Sequence, residues 1–348
     1  MKKHVLAAVA ASLMLSSCSN DEVISVPGQA AINFDSFVSK TTRATDASKT
    51  NLMNMTVYGY IGDETPVKNF DGQIVSRPDQ STEWGYTPIQ YWTADKNYFF
   101  TAISSPVSEG NSHYTYTWAD NLPIDINADF YGSGTISIDN SKSGGNEDLV
   151  YAYATKSTPA QITTSPGKVE FVFKHALSRV KFTFKNAMGS DAYSIKIYDL
   201  KITNAATQAE LTLGEKDPTW NNHSNTTELT LRNNLFVPAN QIALNAASVA
   251  SGTKFIIPGE QTLNISFNID LIVYGKTIAT YYHNNQEIPT TTFQNGHSYN
   301  FLADINPKNI DPEQDMFPIE FNVIDVDGWI EESGIPVTLP ESTTPTEE

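Results

Sequence analysis

The residues of this chain able to do chemistry are few and scattered. There is one cysteine, Cys18, and six histidines at positions 4, 113, 175, 223, 283 and 297. No two of these histidines stand at a spacing that lets them share a metal ion. No GxSxG, HExxH, CxxC, Walker loop or GxGxxG string occurs, so the common nucleophile, zinc and phosphate devices are missing. Asp325 and Asp327 come nearest to a carboxylate pair, but they stand i, i+2 beside Gly328 and read better as flanks of a turn. DINAD (125–129) opens like a calcium loop, yet its sixth and twelfth positions hold Phe130 and Ile136, where such a loop needs Gly and Glu. A plain acidic loop is the better reading. His175, in FKHALSR, reads as a strand-end hydrogen-bonding residue. The sequence therefore predicts neither enzyme, cofactor nor metal site. One residue is left over: Arg43, in the small polar segment SKTTRATD (39–46), is either part of a spacer or a place to be cut.

The N-terminus gives Cys18 a role. MKKH is basic, and Val5 to Leu15 is an apolar stretch too short to span a bilayer. It ends at LSSC, which resembles a bacterial lipobox and implies cleavage before Cys18 and diacylation of its sulfur. The alternative is an ordinary signal peptide followed by an incidental free cysteine. Acyl chains would tether the protein to a membrane by hydrocarbon burial, at about 0.8 kcal/mol per CH₂. Asp21 and Glu22 behind the cysteine resemble the acidic surface-export signals of lipoproteins.

The chain carries 22 Lys and Arg against 39 Asp and Glu, a net charge of −17. Loss of Lys2 and Lys3 with the leader makes it more negative still. Such a surface repels nucleic acid and anionic lipid. With Cys18 alone no intrachain disulfide can form, so stability must come from burial, which 40% hydrophobic residues allow.

After Leu15 no stretch keeps a helical period. Short runs of alternating, β-branched and aromatic residues recur between Gly, Pro, Asn and Asp, the pattern of an all-β sandwich. In the first half these are NMTVYGYIG (54–62), TPIQYW (87–92), NYFFTAISSP (97–106), HYTYTW (113–118) and DLVYAYA (148–154). Aromatics crowd residues 84–100. A sandwich core with cross-strand aromatic pairs explains them best, with a carbohydrate-stacking platform of Trp84, Tyr91 and Trp92 as the alternative. KSTPAQITTSPGK (156–168) reads as a boundary loop. The second half opens with VEFVFKHALSRVKFTFKNA (169–187), where KHALSR is a helical turn or an irregular crossing. It continues through SIKIYDLKITNA (194–205), AELTLG (209–214), TELTLRN (227–233), TKFIIPG (253–259) and SYNFLADIN (298–306). TLNISFNIDLIVYGKTIATYYH reads as a long hairpin turning at Gly275-Lys276.

Several strings together resemble one family. They are LSSC, TTRA after a first strand, VYGY, the cluster Trp84, Tyr86, Pro88, Tyr91 and Trp92, FKHALSRVKFTF, QNGHSYNF (294–301) and VDGWIEE (326–332). In order and spacing they are similar to the fimbrillins, the Mfa-like pilin lipoproteins. The resemblance implies two transthyretin-like β-sandwich domains in tandem and assembly into type V fimbriae for cell adhesion. It implies a leader of residues 1–17, a lipidated segment and first strand over 18–43, sandwiches over 44–163 and 164–332, and a tail over 333–348. It implies cutting by an Arg-specific protease between Arg43 and Ala44, and partners that are other fimbrial subunits, joined by strand exchange.

Elementary physics agrees with that scheme. The strand around Ala31–Phe37 would turn Ile32 and Phe34 to one face. Its removal would leave an apolar slot and unpaired backbone groups, a template for strand addition. Two C-terminal stretches alternate as a donor must: PIEFNV (Ile319, Phe321, Val323) and GIPVTL (Ile335, Val337, Leu339). The first reads better as the last strand of the fold and the second as the donor, with PESTTPTEE a disordered tail. A tip adhesin or glycan-binding surface lipoprotein is the alternative function.

Overall fold

A computed structural model describes residues 30–38, 52–62, 66–105, 113–117, 129–231, 234–238, 248–311, 313 and 319–328. At 37, 38, 248 and 324–328 it describes the backbone alone. Cys18, Arg43, Ala44, Ile335, Val337, Leu339 and residues 125–128 of DINAD lie outside the described residues.

The chain is all-β, and its strands in order are β1 (Phe34–Val38), β2 (Asn54–Ile61), β3 (Val67–Ser76), β4 (Asn97–Ser104), β5 (Tyr114–Thr117), β6 (Thr135–Asp139) and β7 (Val150–Ser157). There follow β8 (Val169–His175), β9 (Ser178–Asn186), β10 (Tyr193–Thr212), β11 (Trp220–Thr230), β12 (Leu235–Val237), β13 (Ser248–Ala250) and β14 (Lys254–Ile256). The last are β15 (Gly259–Gln261), β16 (Asn264–Val273), β17 (Lys276–Glu287), β18 (Thr291–Phe293), β19 (His297–Ile305) and β20 (Phe321–Gly328).

Three sheets build the body. The first runs β1-β8-β7-β4-β2-β3, the second β17-β16-β10-β6-β5 with β11 and β12 on β10, and the third β13-β9-β19-β20 with β14 on β9. Side-chain alternation sets which face each strand buries. In β16, Ile265, Phe267, Ile269 and Leu271 are buried while Asn264, Ser266, Asn268 and Asp270 are half-exposed. β4 is buried on both faces, as a central strand between two apolar layers must be. Tyr98, Phe100 and Ala102 enter one core with Phe34, Phe70 and Phe171. Ile103 enters another, shared with Ile136, Leu211 and Phe255. The third and largest core lies where β9, β19 and β20 face β10 and β16.

The expected boundary at 163/164 does not separate the sheets. β8, from the second half of the sequence, pairs with β7 and β1 in the first sheet. β6, from the first half, pairs with β10 over Thr135–Asp139. The cause is the length of β10. In sequence it reads as two strands, 194–205 and 209–214, because Ala206, Thr207 and Gln208 interrupt the apolar alternation. The structure keeps it continuous through a bulge between Tyr198 and Lys201, with Asp199 at φ 53°, a local kink that leaves the ladder intact on either side. KHALSR is the irregular crossing, with Ala176 and Leu177 between β8 and β9. The long hairpin is β16–β17, but its turn is Tyr274-Gly275, one residue earlier than expected. Both residues take positive φ, 46° and 76°, as a two-residue type I′ turn demands. TPIQYW forms no strand; only Tyr91 makes a bridge, to Ala31.

Candidate functional site: the seat of the first strand

The site follows from β1 and what receives it. β1 lies at the edge of the first sheet and pairs with β8 in parallel, from Phe34↔Val169 to Val38↔Phe173. Val169 N–H donates to Asn33 O at 2.8 Å. The stretch just before β1 is held on its other side as well. Ile32 N–H donates to Gln90 O, and Trp92 N–H donates to Ala30 O, each at 2.9 Å. The Tyr86 hydroxyl donates to Ile32 O at 2.8 Å. Burial pushes the Tyr86 phenol up to about 12, so it remains a donor at any physiological pH.

Inward-facing residues alternate as Ile32, Phe34 and Ser36, all at 2% exposure or less. Phe34 sits in an aromatic box. Its ring stacks on Phe171 at 5.7 Å and meets Phe70, Tyr86 and Phe100 edge-on at 5.5–5.9 Å. Burying a phenylalanine of this kind contributes about 1.5–3 kcal/mol, and each edge-on pair adds some tenths to 1.5 kcal/mol. Beyond Arg43 in sequence, the carbonyl of buried Leu52 accepts from Arg77 Nε at 3.2 Å and Nη2 at 3.0 Å. Arg77 in turn lies over the Trp84 ring at 4.5 Å. Both borders of the undescribed stretch 39–51 are thus anchored by the same aromatic segment.

The structure corrects the stacking-platform alternative. Trp84 and Trp92 are 7% and 4% exposed, so neither offers a ring face to a sugar. Trp92 packs edge-on against Tyr98 and Phe100, and Tyr91 spends its backbone on the bridge to Ala31. Trp84 and Trp92 belong to the core that receives Ile32 and Phe34, while the Tyr91 side chain is half-exposed. Both indole N–H groups are buried without a hydrogen-bond partner among the described residues.

The other singled-out residues stand elsewhere. His175 closes β8, and its Nδ1 lies 2.7 Å from the buried Asp148 carboxylate. It borders a cavity of about 580 Å³ between the halves, with Tyr151, Lys174, Trp220 and His297 among its walls. Sequence reasoning passed over Asp148 because a single acid at the start of a strand carries no spacing signal. His113 is also buried, with Glu147 Oε2 2.9 Å from Nδ1, and burial holds its imidazole down at about 4 while raising the Glu147 carboxyl. Among the described residues no three His, Cys, Asp or Glu side chains converge on a point a metal could occupy. Asp325 and Asp327 both lie on β20, opposite Asn300 and Ser298. Ile319 and Phe321 of PIEFNV are buried in the largest core.

A family model described as fimbrillin-like matches residues 42–316. The chain belongs to the fimbrillin-like family. Among solved structures, it is similar to a fimbrial protein from Bacteroides vulgatus, at 19% identity and a TM-score of 0.59, over 86% of this chain and 99% of that one. That likeness shows a shared fold. A cell adhesion protein from Bacteroides uniformis matches at 17% identity and a TM-score of 0.46, over 87% of this chain and 100% of that one. The fimbrial anchor protein Mfa2 from Porphyromonas gingivalis matches at 12% identity and a TM-score of 0.35, over 87% and 99%. No curated protein sequence matches the chain.

Proposed function

We propose that this fimbrillin-like protein is a non-catalytic structural subunit of type V fimbriae that supports cell adhesion. It is exported to the outer membrane as a lipoprotein on Cys18, cut by an Arg-specific protease between Arg43 and Ala44, and polymerised by strand exchange. The observation that carries this reading is the seat of β1. A strand at a sheet edge fills an aromatic box, and the next stretch of sequence contains Arg43.

Cleavage there would act on the local concentration of β1 at its seat. While the chain is intact, β1 is tethered to its seat at an effective concentration in the range of roughly millimolar. Once Arg43 is cleaved, the released leader must find the seat by diffusion, and lipid on Cys18 would hold it at the membrane. The vacant seat presents Phe70, Phe100 and Phe171 with an unpaired β8 edge. That combination recruits an alternating apolar strand by backbone hydrogen bonds and pocket filling. GIPVTL, with Ile335, Val337 and Leu339, supplies it from another subunit, whereas Phe321 and Ile319 are already committed to their own core.

The test is the N-terminus and intact mass of the protein sheared from cells as surface fibres. A chain beginning at Ala44 supports the reading. A chain beginning at acylated Cys18 and confined to the membrane fraction overturns it.

A further inference from the structure

The inward series of β1 is Ile32, Phe34, Ser36, and its last member is out of character. Ser36 is 1% exposed, stands opposite Phe171 in the register with β8, and no described residue gives its Oγ a hydrogen-bond partner. Its own N–H is turned to a local acceptor, the Asp35 carboxylate, at 2.8 Å. A buried hydroxyl without a partner is destabilising, because it has left water for nothing. An apolar side chain of similar size at this point would remove that penalty and fill the same space. The other two inward positions, Ile32 and Phe34, show that the seat accepts apolar side chains along its length.

We infer that Ser36 makes β1 a weak occupant of its own seat, and that residues Gly334–Leu339 of a second copy of this chain displace it by placing an apolar side chain at the Ser36 position. This rests on the strand-exchange reading above and adds the residue that gives exchange its direction. In GIPVTL the apolar residues recur at every second place. Aligned so that these residues face inward, the segment sets Leu339 on Ser36 with Ile335 on Ile32. Shifted by one repeat, it sets Val337 there with Ile335 on Phe34. In both registers the hydroxyl is replaced by hydrocarbon. Exchange of the wild-type strand therefore relieves a defect that a β1 without Ser36 would not have.

The experiment uses the full-length protein in detergent, cleaved at Arg43 with an Arg-specific protease. A synthetic peptide spanning Gly334–Glu341 is added, and release of the N-terminal fragment is followed by mass spectrometry. Wild type is compared with Ser36→Thr, which keeps the hydroxyl, Ser36→Ala, which removes it without adding bulk, and Ser36→Val. Release from Ser36→Val is expected to be about tenfold slower than from wild type, with Ser36→Ala between, as removal of an unpartnered buried hydroxyl implies. Before cleavage, Ser36→Ala is expected to unfold at a higher temperature than wild type. A peptide carrying Ser at both 337 and 339 is expected to displace β1 more slowly than the natural one. Equal release rates for wild type, Ser36→Ala and Ser36→Val, with the natural peptide still displacing β1, overturn the role of Ser36 and leave strand exchange standing. A lower unfolding temperature for uncut Ser36→Ala also overturns it. Failure of the natural peptide to displace β1 from any of the cleaved proteins overturns both.

Discussion

β1 and β20 are both edge strands, and each sets one phenylalanine into an aromatic box. Phe34 meets Phe70, Tyr86, Phe100 and Phe171, while Phe321 meets Phe182, Phe184 and Phe267 at 6.0–6.2 Å. They differ in everything around that anchor. β20 is antiparallel to β19 over seven paired positions, with Ile319 beside Phe321 in the largest core. β1 is parallel to β8 over five positions, a pairing slightly weaker per residue, and its inward series breaks at Ser36. One strand is built into the largest core; the other occupies the seat on which the proposed strand exchange would act.

The sharpest way to break this comparison is to truncate both anchors. Phe34→Ala and Phe321→Ala are each expected to cost the intact protein about 3–5 kcal/mol in denaturant unfolding. After cleavage at Arg43 and replacement of β1 by the donor peptide, the Phe34→Ala loss should vanish while the Phe321→Ala loss persists. Persistence of both would mean that β1 stays in place.

Acid sharpens the comparison from outside both edge strands, through two buried histidines. Burial lowers the imidazole of His113, just before β5, to about 4, and also lowers that of His283 on β17; both strands belong to the second sheet. A histidine held below its free value binds fewer protons folded than unfolded, so stability falls as pH drops from about 6.5 toward 4. For His113 the full effect is up to about 3 kcal/mol. Glu147, raised by burial, opposes it just above the ordinary glutamate range. His113→Gln should flatten the dependence measured by urea midpoints across that window, leaving the part due to His283. An unchanged slope would show that His113 is already solvated in the folded protein.

Smaller effects sharpen the account of the clamp. Tyr86→Phe removes the bond to Ile32 O and the one accepted from Gln90 N–H; it should cost about 1–2 kcal/mol, and the share from Ile32 should disappear when β1 leaves its seat. Lys168 beside β8 pairs with Glu83 at 2.7 Å on an exposed surface. Lys168→Ala should leave the unfolding midpoint unresolved from wild type, because solvent and salt screen such a pair.

Much of the fold was legible because period-two alternation is a local property. β2, β8, β9, β16 and β19 show it within their own residues, while β4 was readable as a short apolar and aromatic run, and β17 through its two-residue turn from β16. β3 was passed over because Asp71 and Gly72 interrupt VKNFDGQIVS, and there Gly72 takes a φ of 73° within a bulged edge strand. The polar start of β11, WNNHSNTT, was passed over because it is exposed along nearly its whole length and has no apolar series to read. The candidate site was half legible. Ile32 and Phe34 pointed to a first strand with one buried face, and Trp84 and Trp92 read best as core residues, which they are, but nothing local showed that the core they join is the one that receives that strand.

By itself the sequence determined an all-β chain with its apolar faces assigned strand by strand, an acidic surface and no common catalytic motif. It also placed an arginine directly after the first strand. These follow from residue type and spacing over a few neighbours. Only the tertiary structure decided that β1 joins β8 in parallel across more than a hundred residues of chain, that β10 runs unbroken between the halves, and that Ser36, paired with Phe171, finds no hydrogen-bond partner for its hydroxyl among the described residues. Each of these depends on which segments meet in space. Pairing between strands far apart in sequence is selected by the packing of whole sheets, and no local pattern records it.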